Sequence, residues 1–423
     1  MANEKQVDTF ERTEFSGSLS DGNESYDVVL IARAGADYRL AIEPTQVSKE
    51  CYLSFSKYCG EPGGVSAWLS FSGTSLDGRK LDSEHLDIVG SNHSSSGFTF
   101  ALSASKATIT FPQDNEKAAQ QNFRVQWCLR GFKSFRPCPV KTTLGTLEVQ
   151  GDHRRINPDE VSGWISLKSN DSEPNQEWFE RADKLLDFVW QGLQFGHGGR
   201  LQVPIIQLYQ PGQTIVEFYS GTGTAAHLAS IHFLNQSDYI KALCERFENE
   251  QPFSEAVWQA VGWLNSDTTI DEVRFLTLMT AIETILDNLV PEKQSTVIPK
   301  SEFKSIKKDL NEVIRNSELA VEEQEIFIRK ISMFNRSTLS EKLNAIIQKY
   351  GLPADAFSEA TTKMLNEQRN AITHTGEADP RIDLWDCILK AREIVAQVVL
   401  SEIGYTGHFE SYANGYQMRS LKE

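Results

Sequence analysis

The sequence predicts an α+β chain with a β-rich, sandwich- or barrel-like N-terminal region, an α/β extension and a C-terminal all-α bundle. Two patterns and a break between them carry this. From Val7 to about Leu167, short runs of alternating apolar residues are interrupted by Gly, Ser, Asn and Asp, the mark of an antiparallel β fold. From Ser237 almost to the end, apolar residues recur at spacings of three and four, the mark of amphipathic helices. Between them, Ser169-Asn170-Asp171-Ser172-Glu173-Pro174-Asn175 reads as a turn or linker, as does Asn157-Pro158-Asp159. The implied division is 1–170, 171–236 and 237–423.

In the first region Tyr26–Ala32, Ala67–Ser72, Gly97–Leu102, Ala107–Phe111 and Phe123–Leu129 read as strands, being rich in β-branched and aromatic residues. In the extension, Glu177–Gln194 reads as a helix, followed by strand-like runs at Leu201–Tyr209 and Thr214–Tyr219. The last region offers helices at Asp238–Glu248, Ser254–Leu264, Ile270–Leu289, Glu302–Ser317, Val321–Met333, Leu339–Tyr350, Ser358–Thr373 and Ile382–Ile403. Pro291 and Gly351-Leu352-Pro353 punctuate them, and an antiparallel bundle is the expected packing.

Composition narrows the function. A chain of 423 residues, 40% hydrophobic and 24% charged, is ordinary globular material too long for one core. Residues 1–5 are polar and no apolar run reaches membrane-spanning length, so a cytoplasmic location without membrane contact is expected. Cys51, Cys59, Cys128, Cys138, Cys244 and Cys387 show no CxxC spacing, so reduced thiols and no metal or other cofactor are expected. The net charge of −16 argues against a broad electrostatic grip on nucleic acid. Even residues 251–423 hold 19 Lys+Arg against 26 Asp+Glu. The one evident basic cluster is Lys300, Lys304, Lys307 and Lys308 with Arg315; it reads as a local RNA contact at Lys304, Lys307 and Lys308, or as a solvated helix face.

The chemistry concentrates in Gln368-Arg369-Asn370-Ala371-Ile372-Thr373-His374-Thr375-Gly376. Histidine moves protons near neutral pH. Arginine keeps its charge and presents a fork that matches phosphate oxygens, and Asn370 can orient either group. A helix from Ala356 to Thr373 would stop at the motif, with Gly376 just past its end and Asp379-Pro380 opening the next helix with a cap and a first-turn proline. On an ideal helix, Arg369 and His374 lie roughly 140° apart, so a fraying last turn would be needed to bring them together. Arg79 and His85 show the same kind of spacing in a Ser/Gly/Asp-rich stretch, so spacing alone is weak; Asn directly after Arg at a helix end is the discriminating feature.

Arg369-Asn370-x-x-x-His374 resembles the catalytic motif of HEPN ribonucleases, and its surroundings resemble the ApeA-like branch of bacterial anti-phage proteins. Three segments carry the likeness in order: Arg274–Ile285 as a first helix with an inward Glu283, Ser337–Ile347 as a middle helix, and Leu384–Leu400 as the closing helix. The likeness is looser over the N-terminal half. It implies a metal-independent endoribonuclease of abortive-infection type that cuts RNA, tRNA being one candidate. Arg369, Asn370 and His374 would be catalytic and Glu283 supporting. A homodimer with facing motifs would supply a second histidine, and the N-terminal region would restrain the site until a phage-derived trigger arrives. Glu283 follows the apolar run Phe275, Leu278, Met279 and Ile282, where a carboxylate needs a partner such as Arg369, or else faces solvent.

Two other classes compete. A catalytically silent bundle whose β-rich half recognises a partner fits the acidic charge. An esterase-like or carbohydrate-active β domain lacks its motifs: His197-Gly198-Gly199 has no Gly-x-Ser-x-Gly elbow and reads as a turn. Ser220-Gly221-Thr222-Gly223-Thr224 lacks the Gly-Lys-Ser/Thr of a phosphate loop, and His227 and His232 have no glutamate in metalloprotease register.

Overall fold

The computed structural model describes residues 11–34, 39–59, 68–95, 97–112, 123–134, 136–152, 159–171, 173–221, 228–249, 251–331, 333–353 and 358–421. Of the segments singled out above, residues 1–5, Val7, Ala67, residues 157–158, Ser172, residues 222–224, His227, Ser332 and residues 356–357 lie outside these. The chain forms two compact units: Met1–Leu193 with Gly199–His227, and Gln194–Gly198 with Leu228–Glu423.

The first unit is built on one antiparallel sheet. Its strands are β1 (Thr13–Ser20), β2 (Ser25–Ala34), β3 (Leu40–Ile42), β4 (Thr45–Val47), β5 (Leu69–Thr74), β6 (Lys80–Ser94), β7 (Gly97–Pro112), β8 (Arg124–Arg130), β9 (Cys138–Thr142), β10 (Gly145–Gly151), β11 (Val161–Ser169), β12 (Ile205–Gln210) and β13 (Gln213–Tyr219). Their order is β3-β2-β1-β5-β6-β7-β13-β12-β8-β11-β10-β9, with β4 pairing β7. Because β3 pairs with β2 and β4 with β7, the run from Leu40 to Val47 closes β2 through β7 into a barrel-like ring. Alternation along the strands sends Phe15, Leu19, Leu30, Leu69, Phe71 and Phe100 into its core, all essentially without solvent contact. Helix α1 (Lys49–Phe55) adds Cys51 and Phe55 to that core. Helix α2 (Gln176–His197) follows β11, and its Trp178 indole donates to the Leu144 carbonyl at 2.8 Å.

Two strand readings change. Gly97–Leu102 and Ala107–Phe111 are halves of one strand, β7: the polar link Ser103–Lys106 stays paired to β6 through Asp87↔Ser103 and His85↔Lys106. β12 and β13, read as part of a connecting segment, lie inside the sheet between β7 and β8. The Arg79/His85 pair belongs to this sheet: Arg79 pairs with Asp77 at 2.9 Å, and the His85 ring, on β6, meets Trp68 edge-on.

The second unit is helical: α3 (Gln236–Glu248), α4 (Glu255–Leu264), α5 (Asp271–Leu289), α6 (Lys300–Arg315), α7 (Val321–Ile331), α8 (Leu339–Tyr350), α9 (Glu359–Thr375) and α10 (Leu384–Ile403). α10 is its axis, with every residue from Ala391 to Leu400 buried. Phe275, Leu278, Met279, Ile282, Ile285 and Leu286 form the buried face of α5, each worth about 1.5–3 kcal/mol when removed from water. Polar groups inside α10 find partners: Arg392 donates to the Leu228 carbonyl, and Gln397 to the Glu393 carboxylate at 2.9 Å. Burial pushes the Arg392 guanidinium down to about 10. The unit does not stay helical to its end: β14 (His408–Ser411) and β15 (Gln417–Ser420) form a hairpin across Asn414-Gly415. The six cysteines form no disulfide among the described residues, and no helix there is long and apolar enough to cross a membrane.

α6 and α7 make a helical arm with a defined base. Asn335, almost fully buried, accepts from the Ile298 N–H and donates to the Ile298 carbonyl, both at 2.9 Å. The Val297 N–H donates to the Asn335 carbonyl at 3.1 Å, and Ser337 N–H to the Ser295 carbonyl at 3.1 Å. Asn335→Ala leaves both Ile298 groups without these partners, so a loss of about 1–3 kcal/mol is expected. Chemical denaturation should report it, together with faster amide exchange across α6 and α7.

Candidate active site

The motif sits on α9, whose ends are both fixed. At the start the Ser358 hydroxyl accepts from the Thr361 N–H at 3.1 Å. At the finish Gly376 adopts φ +80°, a left-handed conformation that a side chain would disfavour, and its N–H reaches the Ile372 carbonyl at 2.9 Å. Thr361, Thr362, Leu365, Gln368 and Ile372 form the buried stripe. The helix therefore runs regularly through Thr375, two residues beyond the predicted Thr373, without the frayed last turn that would bring Arg369 and His374 together.

Gln368 fixes the turn that follows. Fully buried, it accepts from the Asp379 N–H at 3.1 Å, tying the α9–α10 connection back onto the motif helix. Asp379 does not cap α10. Its carboxylate takes two bonds from the Arg381 side chain, at 2.9 and 2.6 Å, and Arg381 holds it down at about 2. The cap is Asp383, which accepts from the N–H groups of Trp385 and Asp386 at 2.9 and 3.3 Å.

One residue past the buried Gln368, the helix turns Arg369 toward α5, where its guanidinium meets the Glu283 carboxylate at 2.8 Å. Their side chains are 40% and 39% exposed, so the pair lies at the rim of the bundle. One oxygen contact leaves other donors of the guanidinium fork available to a phosphate. Asn370 and His374 are both exposed, and four residues apart they share a helix face. Among the described residues neither side chain has a hydrogen-bond or ion-pair partner. In projection Asn370 lies between the other two, roughly 100° from Arg369, while His374 is roughly 140° from Arg369.

The structure thus brings Glu283 and Arg369 together, places Asn370 and His374 side by side, and leaves the two pairs on different faces of α9. Lys304, Lys307 and Lys308 are elsewhere, on α6 of the arm. The His232 ring packs at a tilt against Phe233 and accepts from the Leu234 N–H at 3.3 Å. Among the described residues no group of three His, Cys, Asp or Glu side chains is placed to hold a metal ion. Gln368 is the residue that sequence reasoning missed: a glutamine at a buried position of an amphipathic stripe was the available signal.

Residues 276–407, from α5 to just beyond α10, match the family model described as Apea-like HEPN. These residues are similar to an Apea-like HEPN domain. No curated protein and no solved structure matches the chain. An Apea-like HEPN domain carries a nuclease-type role of the anti-phage kind, HEPN domains being generally of ribonuclease type. The matched span contains the whole arm and all of Glu283, Arg369, Asn370 and His374.

The turn behind the motif has a defined pH range. The Asp379 carboxyl is depressed on folding, so its contribution is complete above the ordinary value of 3.8 and is lost as pH falls through about 2. Arg381→Ala should return its titration toward the ordinary range, which carboxyl-detected NMR would follow; a titration left near 2 would contradict the Arg381 assignment.

Proposed function

We propose that the chain is a metal-independent endoribonuclease of bacterial anti-phage defence, and that two copies build each active site. The observation that carries this is the Arg369–Glu283 pair, which aims a guanidinium at the rim of the bundle while Asn370 and His374 stand exposed on another face of the same helix. Guanidinium, carboxamide and imidazole are sufficient to cleave RNA by attack of the ribose 2′-oxygen. The phosphorus–O2′ bond forms as the phosphorus–O5′ bond breaks. One histidine takes the 2′ proton, a second gives a proton to the departing 5′ oxygen, and the products end in a 2′,3′-cyclic phosphate and a 5′-hydroxyl. Arg369 holds the phosphate and the charge that develops on it, Glu283 holds Arg369, and Asn370 positions the attacking group.

The two-copy requirement comes from this geometry. One chain brings one histidine, on a face of α9 turned away from its own arginine. A second motif helix across a two-fold axis supplies the missing acid or base. RNA, with tRNA one candidate, is held by local contacts, since the chain as a whole is acidic. The β unit is assigned the regulatory part, restraining the site until a phage-derived trigger acts.

Purified protein incubated with total RNA in the presence of EDTA should cleave it. His374→Ala and Arg369→Ala should each lose about 10²- to 10⁴-fold in rate with unchanged melting, because His374 is exposed and Arg369 is half-exposed at the bundle rim. Asn370→Ala should lose less. Full cleavage by His374→Ala would sink the catalytic assignment, and no cleavage under any trigger would favour a silent, partner-binding bundle.

A further inference from the structure

The arm carries an apolar face that no described residue of the unit covers. α6 has no buried residue. Ile306, Leu310 and Val313 stand 47%, 36% and 69% exposed, and their spacing of four and three places them on one stripe. Half-buried Phe303 extends the stripe into the repeat Phe303, Ile306, Leu310, Val313, the alternation of threes and fours by which paired helices meet. α7 adds Val321 and Phe327, 71% and 48% exposed. An exposed apolar face of this kind marks an interaction surface. The motif helix is different, because its exposed residues near the site, Asn370, Thr373, His374 and Thr375, are polar or charged at best. A dimer that joins two motifs therefore needs its apolar adhesion elsewhere.

We infer that the α6 stripe is the surface on which a second copy of this chain docks, with the two α6 helices parallel about a two-fold axis. The charges beside the stripe select both the partner and the direction. Glu302 and Asp309 line one flank and Lys307 lies on the other. Parallel pairing sets each copy's Glu302 against the other copy's Lys307, five residues further on, as flanking charges do in paired parallel helices. Antiparallel pairing would set the acidic flanks against each other. The clamp at Asn335 gives the arm a fixed base from which to present the stripe.

This inference rests on the two-copy active site for its purpose, but its test needs no RNA. Sedimentation of the full chain should show a dimer. Ile306→Glu with Val313→Glu should weaken association by about a hundredfold while leaving the circular dichroism unchanged, since both positions are exposed. A wild-type chain that stays monomeric at tens of micromolar, or a double variant as dimeric as wild type, overturns the surface. Single cysteines at positions 306 and 313 should each cross-link to their own symmetry mates. Cross-linking at one position or neither overturns the parallel arrangement. A monomeric double variant that cleaves RNA at the full rate supports the docking surface and removes the two-copy site. A dimer split by the variant that never cleaves RNA supports the surface and counts against the nuclease.

Discussion

The candidate site depends on one ion pair, Arg369 with Glu283 at 2.8 Å, and on what it does not contribute. At 40% and 39% exposure the pair is solvent-screened and worth on the order of 0–1 kcal/mol to stability, so it is not what holds the bundle together. Its effect is directional. Phe275, Leu278, Ile282 and Ile285 on α5, and Leu365 and Ile372 on α9, already hold the two helices by burial. The carboxylate then fixes where the guanidinium points. Gln368 pins the connection behind the motif, and Gly376 stops the helix two residues after His374.

That regular helix end separates functions that a frayed one would have merged. With α9 intact through Thr375, the arginine and histidine of one chain stay on different faces. The nearest neighbour of His374 in the motif is Asn370, one turn back. In the proposed two-copy site, a phosphate held at the rim by Arg369 would meet its own chain's histidine only at an unfavourable angle, and a second motif helix would restore the missing direction. The acidic balance of the chain fits a small contact of this kind better than an extended nucleic-acid groove.

Much of this was legible in the sequence, for identifiable reasons. Helix periodicity located α5, α8, α9 and α10 to within a few residues, because each buries a stripe against the others. The need of Glu283 for a counter-charge pointed to Arg369. Less legible were features set by tertiary pairing. β7 reads as two strands until β6 is seen to run unbroken beside it. Asp379 looks like a helix cap until Arg381 occupies its carboxylate and Asp383 takes the role. The β14–β15 hairpin has only a brief signal, Asn414-Gly415, between very short strands. α6 showed its periodicity plainly, but periodicity predicts a buried face, and only the structure shows that this face is uncovered.

The central claim is that two histidines from two chains act in one site, and the most direct measurement mixes active with inactive chains. Wild-type and His374→Ala proteins are co-expressed in varied ratios, and RNA cleavage is measured at constant total protein. If each site needs both histidines, activity falls as the square of the wild-type fraction, to about one quarter at equal amounts. A linear fall, to about one half at equal amounts, would mean that each chain cuts RNA by itself and would contradict the account.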